Sequence, residues 1–128
     1  MDEYQSKIKY IKHLLIELGI SPALMGYNYL AQCVYLCWED NRRLHNLVAA
    51  VYQEVARQND TTYQRVERNI RHAVRAFADM GRVQAINRMF GVKLYNAGDY
   101  PPNGELIGYL TEYVQMHYSA DWATTPTL

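Results

Sequence analysis

Thr61–Met80 reads TTYQRVERNIRHAVRAFADM. Its apolar residues fall at Val66, Ile70, Ala73, Val74 and Phe77, the i, i+4, i+7, i+8, i+11 spacing of one buried helical stripe. At about 100° per residue, Gln64, Arg68, Arg71 and Arg75 project from the opposite side, within roughly 60° of one another. Arg65 and His72 flank that row on one edge and Glu67 on the other. One side of this helix is built for a core. The other carries arginines, a glutamine and a histidine, side chains that suit base edges and phosphates.

The start of the helix is marked. Thr61 suits an N-cap, and Gln64 three residues on completes a capping box. Gln58-Asn59-Asp60 before it is turn-like. Upstream, Leu47–Gln58 (LVAAVYQEVARQ) reads as another amphipathic helix with Leu47, Val48, Val51, Tyr52 and Val55 on one side. A short helix, a tight polar turn and a longer basic helix form a helix-turn-helix pattern, whose second helix enters the major groove. The competing reading is a solvated charged face, in which Glu67 and Arg71, spaced i, i+4, simply pair with each other.

A chain of 128 residues is one domain by the usual prior and buries roughly two-thirds of its unfolded surface, so it needs no staple. Net charge is zero, but its distribution is uneven. Arg57–Lys93 holds eight Lys/Arg against Asp60, Glu67 and Asp79, a net of +5. Residues 1–56 carry −1 and residues 94–128 carry −4. The basic charge is concentrated around the 61–80 helix, and a local patch matters more for a polyanionic partner than the total. No apolar run is long enough to span a bilayer, and the charged N-terminus is neither a signal peptide nor an anchor. Cys33 and Cys37, on one helical face beside Tyr29, Leu30 and Val34, read as buried reduced core thiols rather than a disulfide or half a zinc site. A reducing cytoplasm fits them.

The remaining pattern is helical. Residues 3–18 carry a stripe of Ile8, Ile11, Leu14, Leu15 and Leu18 ended by Gly19. Ser21-Pro22 suits the cap of a second helix, whose run through Cys33, Val34, Leu36, Cys37 and Trp38 reads as the central core helix. Residues 39–43 are a polar connector. Gly81 stops the 61–80 helix. Val83–Phe90 forms a short helix closed by Gly91, and Val92–Tyr95 has an extended pattern. Pro101-Pro102-Asn103 opens a last helix, and the tail from Asp121 is expected to fray. His13 reads as a surface histidine. The fold class is all-α, six to seven helices around one core containing a helix-turn-helix.

Arg65-Val66-Glu67-Arg68-x-Ile70-Arg71-His72-Ala73, preceded by Asn59-x-Thr61-Thr62, resembles the recognition helix of the C-terminal effector domain of the stage-zero sporulation response regulator A family. Leu18-Gly19-Ile20, Gly26-Tyr27-x-Tyr29-Leu30, Ile86-x-x-Met89-Phe90-Gly91 and Pro102-Asn103-x-Glu105-Leu106-Ile107 match in the same order, so the resemblance covers about residues 8–118. It departs at Val51-Tyr52-Gln53, where the family usually has Leu-Tyr-Pro, and at Phe77, near a usual tryptophan. The resemblance implies a cytoplasmic bacterial transcription regulator that reads double-stranded DNA with helix 62–80. It also implies a homodimer on tandem boxes and contact with the sigma subunit of RNA polymerase. Carried over by position, Arg65, Glu67, Arg68, Arg71 and His72 face the groove, and Thr61 and Thr62 meet the phosphate backbone. Gln64 and Arg75 join them as DNA-binding candidates. The expected organisation is one effector domain over residues 1–128 without a receiver.

Two other classes compete. One is a receiver-less interaction module that modulates a full-length regulator or a sigma factor, using the tyrosine-rich last helix with Tyr109, Tyr113 and Tyr118. The other is an enzyme. It is disfavoured by the sequence: there is no Gly-rich phosphate loop, no metal quartet and no nucleophile beside a base. No cofactor or metal is expected.

Overall fold

In the computed structural model, which describes residues 2–122, six α-helices surround one apolar core, joined by turns with no strand among the described residues. Helix α1 (Glu3–Leu18) starts at a capping box, with Asp2 accepting from the Gln5 N–H at 2.8 Å and the Gln5 side chain returning to the Asp2 N–H. It buries Ile11, Leu14, Leu15 and Leu18, and Gly19 closes it at φ +99°.

Helix α2 (Met25–Glu39) begins later than Ser21-Pro22 suggests. The Ser21 hydroxyl accepts from the Ala23 N–H at 3.2 Å and closes a local turn, so it is not available as a helix cap. The helix then starts after Leu24, in extended conformation and without a side-chain cap. Helix α2 buries Tyr27, Tyr29, Leu30, Ala31, Cys33, Val34 and Cys37 around most of its circumference, as a central helix must. It touches α1 (3–18) as well as the two long helices that follow, Tyr63–Asp79 and Asn103–His117. Cys33 and Cys37 are free and buried. Burial pushes the Cys33 thiol well up and the Cys37 thiol to about 11, so both are protonated and inert at neutral pH.

A 3₁₀ turn (Asn41–His45), capped by Asp40, leads to a wide π turn (Val48–Tyr52) that runs directly into α3 (Gln53–Gln58). The expected single helical stripe is broken there. A π turn takes an extra residue and shifts the register of the stripe, so Val48 is exposed, while Val51, Tyr52, Val55 and Ala56 are buried. Helix α4 (Tyr63–Asp79) buries Val66, Ile70, Ala73, Val74 and Phe77, the stripe expected of it, with Ala78 added. Helix α5 (Gln84–Phe90) ends at Gly91, φ +67°. The stretch after it is held by one side chain rather than by strand pairing. Asn87 Oδ1 accepts from the Leu94 and Tyr95 N–H groups, and its Nδ2 donates to the Tyr95 carbonyl, each within 2.9 Å. Helix α6 (Asn103–His117) follows Pro102.

Ile11, Leu15, Leu30, Ile70, Phe77, Ile86, Leu106, Ile107 and Leu110 are among the fully buried side chains. Each such burial contributes roughly 1.5–3 kcal/mol. The chain after α6 does not fray at Asp121. Trp122 Nε1 donates to Ser6 Oγ at 3.2 Å, and its ring meets Tyr10 and His13. The rest of the tail expected to fray, residues 123–128, lies outside the described residues. No helix among the described residues is long and apolar enough to cross a membrane.

Candidate nucleic-acid interface

The turn between α3 and α4 is built from residues 59–62. Helix α3 ends in a Schellman motif: the Thr61 N–H donates to the Ala56 carbonyl at 3.0 Å, and the Asp60 N–H donates to the Arg57 carbonyl at 3.4 Å. Asp60 takes the left-handed position, φ +53°, that glycine usually fills. Asn59 Nδ2 donates to Gln32 Oε1 at 2.7 Å, which ties the turn to α2. Because the Thr61 N–H closes α3, the N-cap of α4 passes to Thr62. Its hydroxyl accepts from the Arg65 N–H at 3.3 Å. The expected Thr61/Gln64 capping box is therefore absent: the register moves by one, Gln64 becomes the second helical residue, and its side chain is exposed.

The apolar stripe of α4 fixes its other face outward. Gln64, Arg65, Arg68, Arg71, His72 and Arg75 are all exposed, and Thr62 is exposed at the helix start. Arg68, Arg71, His72 and Arg75 surround a shallow hollow of about 300 Å³. Glu67, half-buried, pairs with Arg71 across one turn, as the competing reading anticipates, yet the Arg71 side chain stays 48% exposed. Arg57, the first cation of the basic stretch, is held bidentate by Glu54, whose carboxyl is pulled down to about 2 by that arginine. Arg65, Arg68 and His72 direct their side chains to solvent with no side-chain hydrogen bond or ion pair among the described residues. The outer face thus offers donors not consumed by the chain itself.

Two contacts fix where this helix lies. On its inner side, Gly26 of α2 meets the α4 backbone so closely that an added Cβ would stand 2.2 Å from the Asn69 carbonyl oxygen. On the outer flank, Asn103 Nδ2 donates to the Glu67 carbonyl at 3.0 Å. The Arg75 guanidinium lies over the Tyr100 ring, 5.3 Å from its centroid, and the Tyr100 hydroxyl donates to Asp79. The sequence gives no sign of these neighbours: Tyr100 is 21 residues from Asp79, and Asn103 is 36 from Glu67. A proline pair beside Tyr100 and Asn103 marks only a stiff loop.

The tyrosines of the last helix are largely used inside the chain. Tyr109 and Tyr113 meet the Phe90 ring, and Tyr118 shares a hydrogen bond of 2.9 Å with Ser6 and packs on Tyr10 and Trp38.

The family model described as the sporulation initiation factor Spo0A C terminal matches residues 11–114. The match runs from the middle of α1 to the last turn of α6 and contains the whole of α3, the turn and α4. It bears out the resemblance carried by Arg65–Ala73 and its flanking segments. The chain belongs to the family of the C-terminal domain of the sporulation initiation factor Spo0A.

Proposed function

We propose that this protein is a sequence-specific, non-catalytic DNA-binding transcription regulator of the cytoplasm, with α4 (63–79) as the helix that enters the major groove. One observation carries the reading. Among the described residues, Arg65, Arg68 and His72 stand free on the exposed face of a helix whose opposite face is locked in the core. Arg68 and Arg71 each present a fork that fits guanine O6 and N7, worth ~1–3 kcal/mol of discrimination per pair. Glu67 accepts from cytosine N4 or holds Arg71 in its reading rotamer, the role its pairing in the free chain favours. Arg65, His72 and Arg75 reach phosphates or a flanking base. Thr61 and Thr62, at the helix N-terminus, meet the backbone, and Gln64 faces the same way. On this reading residues 8–118 form the effector unit, which binds tandem boxes as a homodimer and touches the sigma subunit.

The alternative, an interaction module working through its C-terminal tyrosines, fits less well. Tyr109, Tyr113 and Tyr118 already pack on Phe90, Tyr10 and Trp38.

The test is binding to a duplex carrying two sporulation-type boxes in tandem and to a scrambled duplex, across a salt series. The expected preference is ~10³ or more, with a log–log salt slope of order −3 to −5. Arg68→Ala and Arg71→Ala each remove most of the preference. Equal weak binding to both duplexes, indifferent to either substitution, overturns the reading.

A further inference from the structure

Tyr100 stands at the C-terminal end of the row formed by Arg68, Arg71 and Arg75. The Arg75 guanidinium carbon lies over its ring, 5.3 Å from the centroid, and the Tyr100 hydroxyl donates to Asp79 Oδ1. A contact with the π face uses no acceptor atom and neutralises none of the guanidinium charge. Asp79 is four residues beyond Arg75. At the same spacing, with the acid first and so in the more favourable order, Arg71 has closed an ion pair with Glu67. Arg75 forms no such pair among the described residues: Tyr100 occupies the carboxylate with its hydroxyl and the guanidinium with its ring. Tyr100 is also held in place. Pro101 and Pro102 fix the backbone beyond it, and Asn103 anchors the same loop to α4 at the Glu67 carbonyl.

The position along the helix gives this arrangement a consequence. Arg68 and Arg75 are about 10.5 Å apart along the axis. The major groove is about 12 Å wide. With the early residues of α4 at base edges, Arg75 arrives at the strand bordering the groove, and Asp79 lies one turn further on, beside the phosphates. An Asp79 carboxylate free to close on Arg75 would neutralise it.

We propose that Tyr100, outside the recognition helix, is a positioning residue for DNA binding: it holds Arg75 open as a phosphate contact and keeps the Asp79 carboxylate from closing on it. This rests on the groove-reading assigned to α4 above. It makes Arg75 a contributor to affinity rather than to base discrimination.

The experiment measures fluorescence anisotropy with the full chain on the tandem-box duplex and its scrambled counterpart, at about 50–200 mM salt. Tyr100→Ala is expected to weaken binding to both duplexes by ~3- to 10-fold. It should leave their ratio unchanged and lower the salt slope by about 0.9 per bound protomer, one phosphate contact each. Arg75→Ala should do the same, and the double substitution should bind no more weakly than Arg75→Ala alone. Tyr100→Phe, which keeps the ring over Arg75 but releases Asp79, should fall between wild type and Tyr100→Ala. Unchanged thermal midpoints separate these effects from misfolding; Tyr100 is half exposed. Suppose Arg68→Ala abolishes the box preference and Arg75→Ala lowers the slope, but Tyr100→Ala matches wild type or adds its loss independently to that of Arg75→Ala. The positioning role is then wrong and the groove reading stands. A chain whose box preference survives Arg68→Ala removes both.

Discussion

Gly26→Ala is the sharpest test of how the recognition helix is held. Alanine is the better helix former by about 1 kcal/mol, so helix propensity alone predicts stabilisation. The crossing predicts the reverse. A Cβ at residue 26 would stand 2.2 Å from the Asn69 carbonyl oxygen, 2.8 Å from the Asn69 carbonyl carbon and 2.8 Å from the Ala73 Cβ. Ordinary contact begins near 3.4 Å, so α2 and α4 must separate by about 1 Å. Two of the three obstructing atoms are main chain, which cannot rotate away. Overpacking of this kind costs typically 1–3 kcal/mol, and the rigidity of the obstacle places this case at the upper end. Net of propensity, the loss is about 2 kcal/mol. At about 2.1 cal/mol/K of unfolding entropy per residue, that lowers the thermal midpoint by about 7 °C. Gly108→Ala is the matched control: it sits inside α6 with nothing within 4 Å of the added Cβ. It should gain up to about 1 kcal/mol and raise the midpoint by roughly 4 °C. Paired thermal melts followed by circular dichroism give both values. Two substitutions of the same chemistry should move in opposite directions; a rise for both would show that the α2–α4 approach is not tight. On the proposed reading, the displaced α4 of Gly26→Ala also loses affinity for the box duplex, which Gly108→Ala leaves intact.

Two further outcomes follow from the turn and the core. Thr62→Ala should cost about 1 kcal/mol of stability in urea denaturation, whereas Thr61→Ala costs less than about half of that, because only the Thr62 hydroxyl caps α4. Equal losses at both positions would place the cap elsewhere. Tyr52, buried beside α4, is pushed up to about 12, mainly by desolvation. It stays neutral in the folded chain while the unfolded one ionises near its usual 10. Its contribution is therefore complete below pH about 10 and is lost as pH rises from 10 toward 12, on the order of 2 kcal/mol. Cys37, pushed to about 11, adds a loss of the same sign that begins about one unit lower. Urea midpoints against pH should fall less steeply above pH 10 for Tyr52→Phe than for wild type; parallel curves would remove Tyr52 as the source.

What the sequence made legible was whatever depends on neighbours within a few residues. The stripe Val66, Ile70, Ala73, Val74 and Phe77 repeats at helical period, and every one of its members is buried. The stops at Gly19, Gly81 and Gly91 are equally local, since each takes a positive φ. The cap of α4 was misread by one residue because two local motifs compete for Thr61. Its N–H is claimed by the end of α3, and sequence shows both possibilities without their order. The π turn at Val48–Tyr52 escaped for a related reason. Its residues are ordinary helix formers, and only the need to bury Val51, Tyr52 and Val55 together against α2 and α4 selects the wider turn. The partners of the candidate interface were beyond reach. Gly26 against Asn69, Tyr100 against Arg75 and Asn103 against Glu67 are products of packing between distant segments.

A chain with no net charge must meet a polyanion through local arrangement alone. At physiological salt the screening length is about 8 Å, so the acidic residues beyond residue 94 are felt on α4 only where they lie close to it. The cations that matter are those on the helix face, and the structure separates them by availability. Arg57 is held by Glu54 and Arg71 by Glu67, whereas among the described residues Arg65 and Arg68 are unpaired and Arg75 meets the Tyr100 ring rather than a carboxylate. Arg65 and Arg75 of both protomers on the tandem site make four phosphate contacts and a salt slope of about −3.6, since each contributes about −0.9. A steeper slope, toward −5, requires Arg71 and His72 to join. Arg71 reaches the DNA by exchanging Glu67 for a phosphate, which steepens the slope, or by carrying Glu67 with it to a C·G pair, which does not. The two routes differ in outcome. In the first, Glu67→Gln strengthens binding to the box and scrambled duplexes alike, because a competing charge is gone. In the second, it weakens the box alone, because the orienting carboxylate is lost. The pairing of Arg71 with Glu67 in the free chain favours the second.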